Sequence, residues 1–130
     1  MKKITATLEW TKDGYSVWFD ELPSVFSYGA TVEQAKAEAR KAIDLYFEDE
    51  RQPAWYKNGF EIDVKFDVAA LINCYQHIFT KRALSKITGI NESLLSQYAT
   101  GLKKPRKQQV ERIEKGLHTL SQELSVISLR

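Results

Sequence analysis

The chain has little cysteine and little histidine. Cys74 is the only cysteine among 130 residues, which excludes a disulfide framework and a cysteine-rich metal site. The two histidines, His77 and His118, are far apart in sequence and are expected to be solvent-facing or satisfied locally. We therefore expect no metal, no cofactor and no catalytic residue.

Long hydrophobic runs are also missing. No apolar stretch approaches the roughly 20 residues that a membrane-spanning helix requires, and Lys2 and Lys3 are not followed by the apolar region of a signal peptide. We expect a protein without membrane contact, located in the reducing cytoplasm.

A large net charge is absent as well, but the charges are unevenly distributed. The chain carries 19 Lys/Arg and 17 Asp/Glu, a net charge of +2. Residues 1–66 hold nine basic and twelve acidic residues, whereas residues 67–130 hold ten and five. This division predicts two small domains, 1–66 and 67–130, of which only the second is suited to nucleic acid.

The first half has the pattern of a small sheet with one long helix. Apolar and polar residues alternate from Ile4 to Trp10 and from Tyr15 to Phe19, with a turn at Asp13-Gly14 between them, which predicts a hairpin. Thr31 and Gln34 form a capping box at the start of a helix with one apolar face. Further strands are expected at residues 24–28 and 60–66, with Trp55 and Tyr56 in the loop before the last one.

The segment from Thr80 to Arg106 has the pattern of two short helices and a turn. The apolar face of the first helix breaks at Gly89, where a tight turn needs a residue that tolerates positive φ. Asn91 is placed to cap the second helix. Small or hydrogen-bonding residues are expected to face outward from that helix and to suit base edges in a major groove; they are Glu92, Ser93, Ser96 and Gln97.

Basic residues flank this pair of helices. Between Lys81 and Lys107 there are seven Lys/Arg and one acid, Glu92, a local excess typical of phosphate contacts. The expected phosphate-binding residues are Lys81, Lys103, Lys104 and Arg106.

The segments of residues 67–130 outside this helix pair are predicted to form a helix before it, a helix after it and a tail. A helix capped by Asp67 is predicted to run through Phe79, and another is predicted after Pro105. The β-branched tail, Glu123–Leu129, is predicted to be a strand that adds to the front sheet or pairs with a second copy. We favour a homodimer or higher oligomer held by this back half.

The helical segment resembles the helix-turn-helix of the Cro/lambda-repressor-like (XRE) family. The matching positions are Leu84, Ser85 where the family usually has alanine, Gly89-Ile90, Ser96, Gly101 and Lys103-Lys104-Pro105. The resemblance implies an all-α DNA-binding domain over residues 67–130, in which the second helix of the helix-turn-helix, the one capped by Asn91, reads bases of an operator in double-stranded DNA. The base-reading residues it implies are Glu92, Ser93, Ser96 and Gln97.

The front half resembles the amino-terminal domain of HicB antitoxins. The matching features are Phe19, the Leu22-Pro23 corner, and the helix start Gly29, Thr31, Glu33 and Ala35; Ser24-Val25 departs from the glycine and cysteine that many relatives carry. The resemblance implies a β-β-β-α-β domain, similar to a partly degraded RNase H fold, that inhibits a HicA-like toxin ribonuclease. Because exposed aromatic residues are enriched at interfaces, the candidate toxin contacts are Trp18, Trp55 and Tyr56, unless these rings complete the domain's own core.

The sequence thus predicts an α+β chain in which a small β-β-β-α-β domain precedes an all-α Cro/lambda-repressor-like domain. The predicted function is that of a type II antitoxin, which neutralises a toxin ribonuclease and represses its own operon. A stand-alone XRE-family regulator, whose first domain senses a ligand or mediates assembly, is the alternative. A metal-dependent nuclease using Asp13 or Asp20 is disfavoured because these carboxylates lie in turn and corner signals.

Overall fold

The computed structural model describes all residues from Met1 to Arg130. Its elements are β1 (Lys2–Thr11), β2 (Gly14–Phe19), β3 (Phe26–Gly29), α1 (Val32–Asp49), α2 (Ala54–Lys57), β4 (Phe60–Phe66), α3 (Val68–Cys74), α4 (Lys81–Thr88), α5 (Glu92–Ala99) and α6 (Lys107–Ser125). The chain divides into two compact units, Met1–Ala70 and Leu71–Arg130, called here the first and the second unit. The division lies four residues beyond the predicted boundary and falls within α3.

The first unit contains one mixed sheet with the strand order β3-β2-β1-β4. The neighbours β3, β2 and β1 are antiparallel, while β4 runs parallel to β1. Alternation places Ile4, Ala6 and Leu8 of β1 on the buried inner face. Helix α1 packs against that face, mainly over β2 and β3, so Ile62 and Val64 of β4 are only partly covered.

The helix α1 starts where the sequence predicts. The Thr31 hydroxyl accepts a hydrogen bond from the Gln34 amide at 3.1 Å, and the Gln34 side chain accepts one from the Ala30 amide at 2.9 Å. The first interaction satisfies a donor that the first helical turn would otherwise leave unpaired, and the second holds the chain that enters the helix. The buried stripe of α1 comprises Val32, Ala35, Ala39, Ile43 and Phe47.

The predicted fold, taken as a whole, is wrong. The chain is a small mixed α+β protein with one four-stranded mixed sheet and six helices. It does not fit the prediction of a partly degraded RNase H-like domain followed by a separate all-α Cro/lambda-repressor-like domain, although the first unit keeps the predicted order of three strands, a helix and a strand, with the short α2 added before β4. One reason is that α3 starts directly on the sheet: the Asp67 amide donates to the Leu8 carbonyl at 3.0 Å, and its carboxylate accepts from the amides of Trp10 and Ala70.

Three local predictions also fail. Helix α3 ends at Cys74 instead of reaching Phe79, and residues 75–78 form a turn in which Ile78 is exposed. The tail is not a strand, because α6 continues to Ser125 and residues 127–130 have no regular structure. Trp55 and Tyr56 lie in the short helix α2 instead of a loop. None of the helices combines the length and the apolar composition that a bilayer span requires.

Candidate nucleic-acid and protein interfaces

The ends of helices α4 and α5 are fixed by capping residues and by a glycine turn. The Thr80 hydroxyl accepts from the Ala83 amide at 3.0 Å, and Asn91 accepts from the Leu94 amide at 2.8 Å, so each helix has a side-chain N-cap. Gly89 ends α4 in the left-handed conformation, with φ 75°, which costs a glycine little because it has no Cβ. The cap prediction at Asn91 and the turn prediction at Gly89 are therefore confirmed.

The apolar side of the pair is buried within the second unit. Leu84, Ile90 and Leu95 are almost fully enclosed, as is Ile113 of α6. The Arg112 guanidinium donates to the Gly89 carbonyl at 3.1 Å and so satisfies a carbonyl at the end of α4. This packing fixes α5 and determines which of its side chains reach solvent.

The predicted base-reading residues differ in exposure. Glu92 and Ser93 lie in the first turn of α5 and are exposed, whereas Ser96 and Gln97 are half-buried. The structure places all four on the same short helix, with the exposed polar pair next to the N-cap. An exposed first turn is the part of a helix that can enter a groove end-on.

Cationic side chains gather after α5. Tyr98, Lys103, Lys104, Arg106 and Gln109 line a surface cleft of about 410 Å³. Tyr98 is 5% exposed and so forms the buried wall of this cleft, while the three cations are exposed around it. Lys81 is also exposed, at the first position of α4. The arrangement can hold anionic oxygens, with the cations as the charged partners.

The structural boundary sharpens the charge asymmetry. Residues 1–70 carry nine basic and thirteen acidic residues, a formal net charge of −4, whereas residues 71–130 carry ten and four, a net charge of +6. The second unit therefore has the field expected of a polyanion-binding surface, and the first unit has the opposite field.

In the first unit, two of the three predicted toxin contacts pack internally. Trp55 and Tyr56 contact Phe47 and Phe60 with ring centroids 4.4–5.7 Å apart. Both are half-buried. Their main structural role is therefore to attach α2 to α1 and β4, and they offer only part of their surface to a partner.

Tyr56 has a perturbed acidity that can be tested. Its hydroxyl donates to the Asp44 carboxylate at 2.7 Å, and this hydrogen bond, followed by desolvation and the charge of Asp44, raises the pKa of Tyr56 above 10.0. The neutral phenol is favoured in the folded state, so its stabilisation is complete below pH 10.0 and is lost as pH rises through the folded-state pKa. We expect the stability difference between the native chain and Tyr56→Phe to shrink in that range. Urea unfolding at a series of pH values measures it, and a difference that grows with pH would contradict the assignment.

The third candidate, Trp18, lies on the outer face of the sheet and is 43% exposed. Its cross-strand neighbour in β3 is Phe26, which is 75% exposed. Tyr28 follows on the same face, and its hydroxyl donates to the Asp13 carbonyl. Exposed aromatic residues therefore lie along the β2–β3 side of this face.

Sequence analysis missed a second part of this surface. Phe26 also borders a cleft of about 350 Å³ whose other walls come from the C-terminal half of α1. Leu45, which is 63% exposed, lines it together with Asp49 and Glu50. The available signal was Leu45 itself, an apolar residue outside the apolar stripe of α1. We call Trp18, Phe26 and Leu45 with these two acids the apolar-acidic surface.

The carboxylates of the disfavoured nuclease reading are not gathered into a site. Asp13 and Asp20 are exposed, and Glu21 accepts a hydrogen bond from the Thr5 amide at 3.2 Å. No group of three or more His, Cys, Asp or Glu side chains is placed to hold a metal ion. These three carboxylates are therefore not arranged to bind a metal ion together.

Comparison with known proteins does not add to this geometry. No protein-family model matches the chain, and no curated protein is significantly similar to it.

Proposed function

We propose that this chain is an antitoxin of the HicB kind, which binds a HicA-like toxin ribonuclease through its first unit and operator DNA through its second. The observation that carries the proposal is the capped helix pair α4–α5, in which α5 has an exposed polar first turn and is followed by a cluster of cations. In the proposed mechanism the cations hold backbone phosphates and fix the register of α5 in the major groove. Glu92, Ser93, Ser96 and Gln97 then read base edges.

The toxin would bind the apolar-acidic surface of the first unit. A ribonuclease that handles RNA is expected to be basic, and Asp49 and Glu50 beside exposed apolar side chains complement such a partner. The negative charge of the first unit would also keep it from competing for RNA. Trp55 and Tyr56 contribute at most their half-exposed edges to this contact.

The proposal also includes an oligomeric state and a location in the cell. The apolar residues at the end of α6 and beyond it, among them Leu124, Ile127 and Leu129, are exposed, which supports a homodimer or higher oligomer formed through the second unit. A dimer would present two copies of α5 to two half-sites. The proposed location is the cytoplasm, where both operon and messenger RNA are found.

Co-expression with a HicA-like toxin ribonuclease tests the antitoxin function. We expect the full chain to restore growth that the toxin arrests and to co-purify with it. Growth arrest that persists although the folded chain is present in excess would contradict the proposal.

The toxin contact should depend strongly on Leu45. Leu45→Ala is expected to weaken toxin binding by about 2 kcal/mol, roughly 30-fold, if the residue is an interface anchor, while the thermal stability of the free chain changes little because the side chain is exposed. Leu102→Ala, which changes an exposed leucine of the second unit that lies outside the proposed toxin contact, is the control. Calorimetric titration compares the two; equal affinities would remove the apolar-acidic surface from the contact.

Gln97 should influence which operator sequence is preferred. Gln97→Ala is expected to lose about 1–3 kcal/mol of discrimination at one base pair, since Gln can pair with the adenine edge. Gel shifts with the native operator and single-base variants measure this effect. A uniform loss of affinity on all sequences would show that Gln97 only supports α5 structurally.

A stand-alone transcription regulator with a ligand-sensing first unit is the second candidate. It is favoured by one observation, a largely apolar cavity beneath α1 in the first unit. The presence or absence of a toxin gene next to this one separates the two candidates.

A further inference from the structure

A cavity of about 230 Å³ lies between α1 and the sheet of the first unit. Two small residues line it, Ala6 from the sheet and Ala39 from α1, and both are almost fully buried. In the sheet, Ala6 lies between Phe19 on β2 and Val64 on β4. Because neither alanine extends beyond Cβ, helix and sheet are left with unfilled space at this position.

The cavity opens towards β4. The side chains of Ile62 and Val64 line it and are only half-buried, since α1 packs mainly over β2 and β3. Leu8 and Val17, which are paired across β1 and β2, close its inner end. The interior is therefore apolar and accessible from one side.

One charged residue lines this space. Lys36 of α1 contributes to the wall, and its ammonium lies 5.9 Å from the centroid of the Phe66 ring. The ion pairs of this unit join Arg40 to Asp44 and Lys41 to Glu38, so the charge of Lys36 is not neutralised by a carboxylate. A lone cation beside an apolar interior fits an anion with an apolar body.

We propose that this cavity binds a small amphipathic monocarboxylate, with an aryl or branched alkyl group inside and the carboxylate at Lys36. An apolar cavity of about 150 Å³ accommodates benzene, so this one has room for a ring and a short arm. A single cation matches a singly charged group, whereas a phosphate dianion is usually bound by several donors. The proposal goes beyond the antitoxin function and does not depend on it.

Titration of the full chain with 3-phenylpropanoate, followed by methyl NMR, tests the proposal. We expect saturable shifts of the Ala6, Ala39, Ile62 and Val64 methyl signals, with at least a fivefold weaker response to the uncharged 3-phenylpropanamide. Lys36→Gln should abolish the preference for the carboxylate. Lys65→Gln, on the opposite face of the same edge strand as Val64, should retain it.

A second variant closes the cavity without removing charge. Val64→Phe places a larger ring at the half-buried rim, and it should abolish binding of both compounds while the circular dichroism spectrum stays native. Undiminished binding to folded Val64→Phe, equal responses to carboxylate and amide, or no saturable shift up to about 10 mM ligand would each overturn the proposal. Growth rescue is a separate measurement, so failure here leaves the antitoxin function to be judged independently.

Discussion

Replacing Gly116 by alanine should destabilise the second unit by about 2–3 kcal/mol. Gly116 is buried in α6, and a Cβ there would lie 2.5 Å from the carbonyl oxygen and 3.1 Å from the carbonyl carbon of Ile87. Because these are backbone atoms, α4 and α6 would have to separate. Helix propensity alone predicts the opposite sign, a gain of about 1 kcal/mol for alanine over glycine.

Thermal unfolding followed by circular dichroism shows whether Gly116→Ala lowers or raises the stability of the chain. The expected fall in midpoint is at least about 8 °C. Ser121→Ala, on an exposed position of the same helix, is the control and should change the midpoint little or raise it. All three tryptophans lie in the first unit, so their fluorescence reports that unit alone. A higher midpoint for Gly116→Ala would show that the two helices are not in close contact in solution.

Removing the three cations of the cleft after α5 should nearly abolish DNA binding. The triple variant Lys103→Ala, Lys104→Ala and Arg106→Ala is expected to bind operator DNA about 100-fold more weakly near physiological salt, because up to three phosphate contacts are lost. The slope of log affinity against log salt should fall by up to about 2.7, since each contact contributes about 0.9. All three side chains are exposed, so the fold should be retained.

A matched triple variant separates local contacts from net charge. Lys12→Ala, Lys41→Ala and Lys57→Ala remove the same charge from exposed positions of the first unit. Fluorescence anisotropy at several salt concentrations should give nearly native affinity for this control. If both triple variants lose affinity equally, binding is a response to total charge and the cleft is not a docking site.

Local signals in the sequence located most elements of the structure. The alternation in β1 and β2, the capping residues Thr31 and Asn91, and the turn at Gly89 each act within a few residues, through side-chain periodicity or hydrogen bonds to the next turn. Positions governed by such short-range effects are the ones for which prediction and structure agree. The exposed polar turn at Glu92 and Ser93 follows from the same local pattern.

Two of the failed predictions concern the residue at which a helix ends. The tail has β-branched residues, yet α6 continues through Glu123 to Ser125 and no strand forms there. Helix α3 was predicted from an apolar stripe that includes Ile78, but that residue is exposed in the structure and the helix ends at Cys74. Intrinsic preference at these exposed positions is too weak to determine from the side-chain pattern where the helix ends.

The sequence by itself determined the charge asymmetry, the helix caps and the candidate groove-facing and cationic residues, because these depend on composition and on neighbours a few positions away. Only the tertiary structure decided that Trp55 and Tyr56 pack internally, that Phe26 and Leu45 meet at one cleft, and that Ala6 and Ala39 line one cavity. These facts depend on strand order and helix placement, which bring residues distant in sequence together. Periodicity states which face of an element is apolar, but not which other element covers it.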